Sequence, residues 1–436
     1  MLDPANRALV IYPEITGKNE RMRDPELRLA EARGLAEALD LDVVEGRIER
    51  LRAIKPGLFF GEGKVKEVSD VVEADKIGIV FIDAGLTPIQ QRNLERKWNL
   101  KVIDRTGVIL EIFGRRARTS EGRVQVELAR LEYERSRLVR TWTHLERQRG
   151  GFGFLGGPGE TQIEADRRLL ADKIARLKKQ LDSIRRTRGL HRASRKKVPY
   201  PIVAVVGYTN AGKSTLFNQL TGADVLAKDM PFATLDPTMR LVRLPSGRAA
   251  ILSDTVGFIT DLPTQLVAAF RATLEEVAEA DLLLHVLDIS NPESAALRDD
   301  VLSTLDQVFE GRGERPPTIE VWNKSDILEP SALEATEARA AQAKDAFVAS
   351  AVAKTGLDAV VAALDEKLAA GSQMVELSLG ANAGAARAWL FEHGEVGSEA
   401  KAEEGDENLI LQVRMTPGNI SRFRRLFPAA QILSQV

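Results

Sequence analysis

A motif near the middle of the chain restricts its fold more than any other feature. The segment Gly207–Ser214 reads GYTNAGKS, follows the apolar run Ile202–Val206 and precedes a helical pattern at Thr215–Leu220. A strand, a loop with two glycines and a helix in this order form a phosphate-binding loop, because the glycines let backbone N–H groups point at phosphate oxygens. The motif therefore predicts an α/β domain with a parallel sheet that binds a nucleotide.

The polar residues of this loop have expected roles in holding phosphates. Lys213 supplies a fixed positive charge near the β- and γ-phosphates, and the Ser214 hydroxyl is an expected ligand of Mg²⁺. The predicted nucleotide-binding residues of the loop and the start of the helix are Gly207, Tyr208, Thr209, Asn210, Ala211, Gly212, Lys213, Ser214 and Thr215. The loop by itself does not distinguish GTP from ATP.

A second motif, NKSD at 323–326, makes that distinction. It ends a hydrophobic run, and the Asp326 carboxylate can accept hydrogen bonds from both N1–H and the exocyclic amino group of guanine. Adenine lacks this pair of donors, so a buried acceptor would be left unmet. Asn323 is expected to support the base and the loop, and the aliphatic stem of Lys324 to cover the base face. The predicted guanine-binding residues, which end two neighbouring strands, are Asn323, Lys324, Asp326, Ser350 and Ala351.

Two further segments are predicted to contact Mg²⁺ and the γ-phosphate. The sequence DTVG at 254–257 ends another strand, so Asp254 is expected to hold Mg²⁺ through water and the Gly257 N–H to sense the γ-phosphate. A loop hydroxyl at Thr234 is the expected remaining Mg²⁺ ligand, with Thr238 as the alternative. The other predicted nucleotide contacts in these segments are Phe232, Ala233, Leu235, Asp236, Thr255 and Val256. The predicted catalytic residues are Lys213, Thr234 and Gly257.

Together these motifs carry a resemblance to a known family. The order of phosphate loop, loop threonine, DTVG, NKSD and Ser350-Ala351 resembles a translational-type GTPase domain. With GGFGFLGGPGE at 150–160, FATLDPT at 232–238 and DTVGFI at 254–259, the whole chain resembles the HflX family of ribosome-associated GTPases. The resemblance implies a factor that hydrolyses GTP, acts on the large ribosomal subunit and its rRNA, and is linked to stress, ribosome splitting and rescue.

Two positions of the nucleotide motifs carry additional expectations. Asn210 resembles the asparagine of potassium-activated GTPases, which implies a K⁺ ligand beside the phosphates; the alternative is an asparagine that only stabilises the loop. Phe258 follows Gly257 where Ras-like proteins carry the glutamine that orients water. Because a phenyl ring cannot accept a hydrogen bond from the attacking water, we expect slow intrinsic turnover that ribosomes stimulate.

The segment before the nucleotide domain has the pattern of two long helices. Apolar residues recur at spacings of three and four in 124–145 and again in 163–184, and the glycine-rich stretch 149–160 cannot continue a helix. An antiparallel helical hairpin with a glycine-rich tip is therefore predicted. Clustered cations late in the second helix favour RNA phosphates; they are Arg185, Arg186, Arg188, Arg192, Arg195, Lys196 and Lys197. The tip offers apolar side chains that can stack on bases, namely Phe152, Phe154 and Leu155.

The alternation of strand and helix patterns divides the chain into four parts. The expected boundaries are 1–113 for a small α/β subdomain, 114–197 for the hairpin, 198–371 for the GTPase domain and 372–436 for a small α/β tail domain. The predicted fold class is thus multidomain α/β. A P-loop GTPase domain, with a parallel sheet and flanking helices, is preceded by the α/β subdomain and the hairpin and followed by the tail.

Composition excludes several other classes of protein. The chain has 436 residues, no cysteine and four histidines, so a disulfide scaffold, thiolate metal sites and cysteine nucleophiles are excluded. No stretch approaches the roughly 18 apolar residues of a membrane span, and the N-terminus lacks a signal-peptide pattern. We therefore expect a cytoplasmic, ribosome-associated monomer that binds GTP and GDP, with Mg²⁺ as cofactor.

Two other functions remain open at the level of sequence. One is a nucleotide-gated ribosome-assembly or checkpoint module in which turnover is incidental; strong stimulation of GTP turnover by ribosomes would argue against it. The other, an ATP-dependent RNA remodeller, is disfavoured by the NKSD motif, although the N-terminal part could hold a weak second nucleotide site.

Overall fold

The computed structural model describes most of the chain. The described residues are 6–16, 23–148, 158–195, 200–223, 231–232, 238–259, 277–310, 315–370, 373–380, 383–401, 408–415, 417–428 and 430–435. The chain packs into two compact units. Unit 1 comprises Met1–Ser183, Leu226–Asp236 and Val256–Leu274, and unit 2 comprises Ile184–Val225, Pro237–Thr255 and Glu275–Val436.

Unit 1 begins with a small parallel α/β subdomain, as the alternation of patterns predicts. Its strands pair in the order β2-β1-β3-β4 and are β1 (Arg7–Ile15), β2 (Asp42–Leu51), β3 (Ile79–Ile82) and β4 (Lys101–Asp104). Its helices are α1 (Pro25–Glu37), α2 (Glu62–Ala74), α3 (Pro88–Trp98) and α4 (Arg105–Arg116). The turn at Gly61 feeds α2, and Thr87 and Gln90 form a capping box that starts α3. Apolar residues of the strands and helices form one core around Leu9, Ile82 and Leu94.

Two long helices follow, α5 (Ser120–Gln148) and α6 (Pro158–Arg195), and form the helical hairpin. Among the described side chains of the two apolar stripes, the buried ones include Leu128, Leu131, Ile174, Leu177 and Leu181. Ion pairs Lys173–Glu127 and Lys178–Glu132, both 2.8 Å, join the two helices. The predicted tip at 149–160 lies outside the described residues except for its last three positions, 158–160, which begin α6.

The hairpin is attached to the α/β subdomain through Asp104, the last residue of β4. Its Oδ1 accepts a hydrogen bond from the Tyr133 hydroxyl and another, at 2.8 Å, from the Gly107 N–H. Through the second bond the Asp104 side chain caps the N-terminus of α4. Its Oδ2 accepts from the Arg137 guanidinium at 2.6 Å and from the Leu86 N–H at 3.3 Å. Burial and the Asp104 charge raise the pKa of Tyr133, so its hydroxyl stays a donor. The Arg137 guanidinium also lies 4.2 Å from the Tyr133 ring centroid.

Unit 2 contains a six-stranded sheet of the order β10-β9-β8-β5-β7-β6. The strands are β5 (Ile202–Gly207), β6 (Thr238–Arg243), β7 (Ala249–Asp254), β8 (Leu282–Asp288), β9 (Thr318–Asn323) and β10 (Ala346–Val348). All pairings are parallel except β6 with β7. The helices in the described residues of this domain are α7 (Lys213–Thr221), α8 (Ser294–Phe309), α9 (Pro330–Gln342) and α10 (Leu357–Ala370). This architecture is the predicted P-loop fold. Apolar runs of the sequence predict strands at 202–206, 240–244, 249–254, 282–288, 318–323 and 346–350, and the six strands overlap these runs.

The last part of unit 2 is a four-stranded antiparallel sheet with two helices. In chain order its elements are β11 (Gln373–Leu379), α11 (Gly384–His393), β12 (Glu395–Lys401), β13 (Leu409–Met415), α12 (Pro417–Leu426) and β14 (Gln431–Gln435). The strand order β12-β13-β11-β14 with a β-α-β-β-α-β succession is the split βαβ arrangement. The sequence predicts strands at 375–379 and 409–414 and helices at 385–392 and near 421–426, which correspond to β11, β13 and parts of α11 and α12. It misses the two edge strands, β12 and β14.

No helix within the described part of the chain is both long enough and apolar enough to cross a membrane.

Candidate guanine-nucleotide site

The phosphate loop connects β5 to α7 at the carboxyl end of the parallel sheet, where ligands of such sheets bind. Glycine is required at two positions of the loop, because neighbouring atoms occupy the space that a Cβ would need. A Cβ on Gly207 would lie 2.3 Å from the Val286 carbonyl oxygen, and one on Gly212 would lie 2.2 Å from Nδ2 of Asn323. Gly212 also has φ of +90°, which favours glycine. The loop therefore packs directly against β8 and against the first residue of the NKSD motif.

Lys213, the predicted phosphate-binding lysine, is buried at the start of α7. Its ammonium donates a 2.6 Å hydrogen bond to the Tyr208 carbonyl oxygen, which lies at the opposite end of the same loop. Burial lowers the pKa of Lys213 to about 8, and the nearby Asp254 carboxylate partly opposes that shift. A cation held in these surroundings is well suited to an anionic ligand, because phosphate oxygens would restore the lost solvation.

Ser214 and Asp254, both predicted to serve Mg²⁺, are brought together by α7 and β7. The Ser214 hydroxyl donates a 2.8 Å hydrogen bond to Oδ2 of Asp254, which is fully buried. Hydroxyl and carboxylate oxygens are the hard ligands that Mg²⁺ prefers, so the pair fits this ion. The described residues contain no group of three or more His, Asp or Glu side chains that could hold a metal ion without a nucleotide. The hydroxyl of Thr255, a predicted nucleotide contact, donates to the Val205 carbonyl oxygen at 2.6 Å.

The predicted guanine-binding residues converge at the ends of β9 and β10. The Asn323 side chain donates to the Ala211 carbonyl oxygen and accepts from the Ala351 N–H, both at 2.9 Å. It thereby ties the phosphate loop to the loop after β10. The Ser350 hydroxyl donates to Oδ1 of the exposed Asp326 and so orients the carboxylate. An oriented carboxylate at the edge of the site can accept the two donors of a guanine base.

Two polar residues of the site have left-handed backbones. Asn210 has φ of 61° and Lys324 has φ of 66°. Non-glycine residues rarely adopt this region, and asparagine tolerates it better than most. Asn210 is exposed at the turn of the phosphate loop, so its side chain is accessible to a ligand.

Sequence reasoning missed one charged residue beside the motif. Asp288, the last residue of β8, lies 2.8 Å from the Lys324 ammonium. Its only sequence signal is an acidic residue directly after a buried apolar strand, in a domain whose other strands end in functional residues.

The predicted residues of the segments 232–236 and 256–258 belong to unit 1 or lie outside the described residues. Phe232 is 2% exposed, has φ of 55°, and packs edge-on against Phe113 of α4 at 4.7 Å between ring centroids. Gly257 and the buried Phe258 also belong to unit 1. Four predicted contacts lie outside the described residues: Ala233, Thr234, Leu235 and Asp236.

Models of known protein families match three successive parts of the chain. A family described as "GTP-binding GTPase N-terminal" matches residues 26–114, and one described as "GTP-binding GTPase Middle Region" matches residues 116–195. A third, described as "50S ribosome-binding GTPase", matches residues 202–324.

Similar proteins of known name and structure span most of the chain. The GTPase HflX of Magnetococcus marinus is 48% identical over 391 residues, which cover 89% of this chain and 88% of that protein. The GTPase HflX of Escherichia coli is 41% identical over 414 residues, covering 95% and 94%. A crystal structure of SsGBP with GDP is 24% identical, has a TM-score of 0.49 and covers 83% of this chain and 98% of that one. Because identities of 41% and 48% extend over nearly the full length of the HflX relatives, the chain belongs to the HflX family of GTPases.

Proposed function

We propose that this HflX-family GTPase binds the large ribosomal subunit and splits or rescues ribosomes under stress. The observation that carries the proposal is an exposed cationic face on α6, in the same chain as a guanine-nucleotide site. The description "50S ribosome-binding GTPase" of the family that matches residues 202–324 supports the choice of partner.

The cationic face of α6 is defined by Arg168, Lys179 and Arg186, which are all exposed. Their spacings of eleven and seven residues return to nearly the same side of an α-helix. Unlike Lys173 and Lys178, these three form no ion pair with any residue that the structure describes. Unpaired cations in a row suit the phosphates of RNA, which release counterions on binding. The glycine-rich tip at 149–160 would add stacking contacts with unpaired bases.

In this proposal the nucleotide-site residues have separate tasks. Lys213 holds the β- and γ-phosphates, Ser214 and Thr234 would bind Mg²⁺, and Asp254 would hold the ion through water. When bound, the ion would supply positive charge that offsets the charge of the phosphates. The Gly257 N–H contacts the γ-phosphate, and Asp326 selects guanine. Intrinsic turnover is slow because Phe258 cannot orient water, so a ribosomal group completes the site.

Asn210 is proposed to hold K⁺ beside the phosphates, since its side chain is exposed on a strained turn of the loop. GTP turnover should then be faster in potassium than in sodium. Asn210→Ala should abolish this difference and leave nucleotide binding largely intact. Equal rates in both salts would remove the K⁺ proposal and leave the GTPase assignment in place.

The wider organisation completes the proposal. The chain acts as a cytoplasmic, ribosome-associated monomer, with an α/β subdomain at 1–113, a hairpin at 114–197, a GTPase domain at 198–371 and a tail domain at 372–436.

One experiment tests the proposal as a whole. Phosphate release from GTP and from ATP is measured with no ribosome, with the small subunit and with the large subunit, and splitting of intact ribosomes is followed by light scattering. We expect hydrolysis of GTP only, stimulation by the large subunit only, and splitting that requires GTP. Stimulation without splitting would favour the assembly or checkpoint module, and no effect of either subunit would overturn the ribosomal proposal.

A further inference from the structure

Asp288 is placed beside the guanine-binding motif by the sheet itself. It ends β8 and pairs in register with Asn323 at the end of β9, and the Ile289 N–H donates to the Asn323 carbonyl oxygen at 3.1 Å. Its Oδ2 lies 2.8 Å from the ammonium of Lys324, the next residue of the motif. Both side chains are about four-fifths buried, with exposures of 19% and 20%. The ion pair is therefore better shielded from solvent than a surface pair.

Asp288 is in turn held by the residue two positions later. Its Oδ1 accepts a 3.0 Å hydrogen bond from the Ser290 N–H and a 2.6 Å bond from the Ser290 hydroxyl. One carboxylate oxygen is thus fixed by the loop after β8, and the other is free to hold a cation. The Asp288 carboxylate is therefore fixed at the end of β8, and it holds the Lys324 ammonium in one position.

The Lys324 side chain has much conformational freedom to lose. Its backbone is already fixed in the left-handed region, with φ of 66° and ψ of 33°. A lysine stem anchored at both ends lies along one path, whereas a stem anchored only at its backbone samples many rotamers. A stem that covers one face of a flat base must lie along such a single path.

We propose that Asp288 is a positioning residue for guanine binding, which holds the Lys324 ammonium so that the lysine stem is ready to cover the base. This inference rests on the guanine site proposed above. It assigns to Asp288 no contact with the nucleotide and no part in the chemical step. Its effect is exerted through Lys324.

The proposal predicts a loss of affinity without a loss of base selection. Asp288→Asn keeps the size and the Ser290 contacts of the side chain but removes its charge. The Kd values of GTP and GDP should rise by the same factor, about 10-fold, which corresponds to releasing one lysine side chain. The ratio of the GTP affinity to the inosine triphosphate affinity should not change. The two nucleotides differ only at the exocyclic amino group, whose hydrogen bond Asp326 accepts. Single-turnover hydrolysis of bound GTP should keep its rate.

A double-mutant cycle with Lys324→Ala separates positioning from a general effect on the domain. Once Lys324 has lost its stem, Asp288→Asn should have no further effect on the Kd of GDP, measured by fluorescence of a labelled nucleotide. The matched control is Asp306→Asn, which breaks an exposed 3.3 Å pair with Arg315 in the same domain and should leave all Kd values unchanged.

The possible outcomes distinguish this inference from the proposal on which it rests. Unchanged Kd in Lys324→Ala would mean that the lysine does not cover the base, and the guanine-site assignment would fail. Weaker binding in Lys324→Ala with an equal additional loss from Asp288→Asn would leave that assignment intact and overturn the positioning role. A changed ratio of GTP to inosine triphosphate affinity in Asp288→Asn would also overturn it.

Discussion

Lys213 holds a positive charge in surroundings that penalise it. Burial lowers its pKa from 10.5 to about 8, so we expect about half of the nucleotide-free protein to carry this lysine neutral near pH 8. Phosphates stabilise the ammonium and raise its pKa again, which means that nucleotide binding takes up a proton. We expect uptake near zero at pH 6.5, about half a proton at pH 8 and more at pH 9. Titration calorimetry in buffers of different ionisation enthalpy measures this quantity.

Proton uptake by Lys213 also predicts how GDP should behave. Since GDP also contacts the lysine through its β-phosphate, GDP should show the same uptake as GTP. The affinity for both nucleotides should fall as pH rises above 8. A binding reaction that takes up no proton at any of these pH values would show that Lys213 stays fully charged in the free protein.

The role of Asp326 in guanine binding can be tested by replacing its carboxylate with an amide. In Asp326→Asn, the amide cannot accept from both guanine donors, and GTP binding should weaken by about 1–3 kcal/mol, as for a lost hydrogen bond to a charged group. Xanthine nucleotides, whose base presents an acceptor in place of the amino group, should bind the mutant better than the wild type. Competition binding with GTP and xanthosine triphosphate checks both effects, and unchanged GTP affinity would contradict the assignment of the guanine site.

Strand β8 contains a buried ionisable group that no part of the nucleotide site uses. His285 is fully buried, and neither ring nitrogen has a hydrogen-bond partner among the described residues. Burial lowers its pKa from 6.5 to about 4, with Glu320 opposing that shift. Between these pH values the unfolded chain binds a proton that the folded chain does not, so His285 makes stability fall as pH falls from 6.5 to 4. The loss is about 3 kcal/mol at most.

His285→Leu removes this titration while keeping an apolar side chain of similar size. The variant should lose less stability than the wild type between pH 6.5 and 4, and the two should behave alike above pH 7. Urea unfolding at several pH values gives the free energy of unfolding of each protein. Hydrogen exchange of the β5, β8 and β9 amides shows whether the change lies in this sheet. Parallel pH profiles for the two proteins would mean that His285 has the same pKa in the folded and in the unfolded protein.

Asp104 attaches α5 to the end of β4. Tyr133→Phe removes one donor to the buried Asp104 carboxylate and should destabilise unit 1 by about 1.5–3 kcal/mol. Hydrogen exchange of the α4 and α5 amides should rise more than that of β1. Arg130→Ala is the control on the same helix, because it removes only an exposed pair with Glu134 and should cost less than about 0.5 kcal/mol. An equal effect of both changes would contradict a special role for Asp104.

For the whole molecule, the proposed ribosome contact predicts a salt signature. Replacing Arg168, Lys179 and Arg186 with alanine should weaken sedimentation with large subunits and lower the slope of log K against log salt by about 2 to 3. Intrinsic GTP hydrolysis should not change, because all three residues lie in α6.

A matched variant removes the same charge from elsewhere. Lys66, Arg96 and Lys97 are exposed cations of the α/β subdomain, and their replacement with alanine should leave the slope unchanged. If both triple variants lower the slope equally, the contact is an unspecific effect of net charge. If only the control variant lowers it, the RNA-binding face lies in the α/β subdomain.

The parts of the molecule differ in how far sequence could predict them. The phosphate loop and NKSD are predictable because their chemistry depends on backbone geometry within a few residues. The missed strands, β12 and β14, are the two edges of their sheet and have few apolar residues. Asp288 and the ring contact of Phe232 depend on residues far away in the chain, and no local pattern marks such partners. The roles assigned to the individual site residues remain predictions.

The contact between Phe113 and Phe232 has a consequence for fragments of the chain. A fragment cut at the linker near residue 198 keeps Phe232 and discards Phe113. A phenyl ring that is 2% exposed in the full chain would then face water, and its left-handed backbone would lose the packing that offsets its strain. Such a fragment should be prone to aggregate. A chimaera assembled from two relatives should therefore inherit both rings from the same parent.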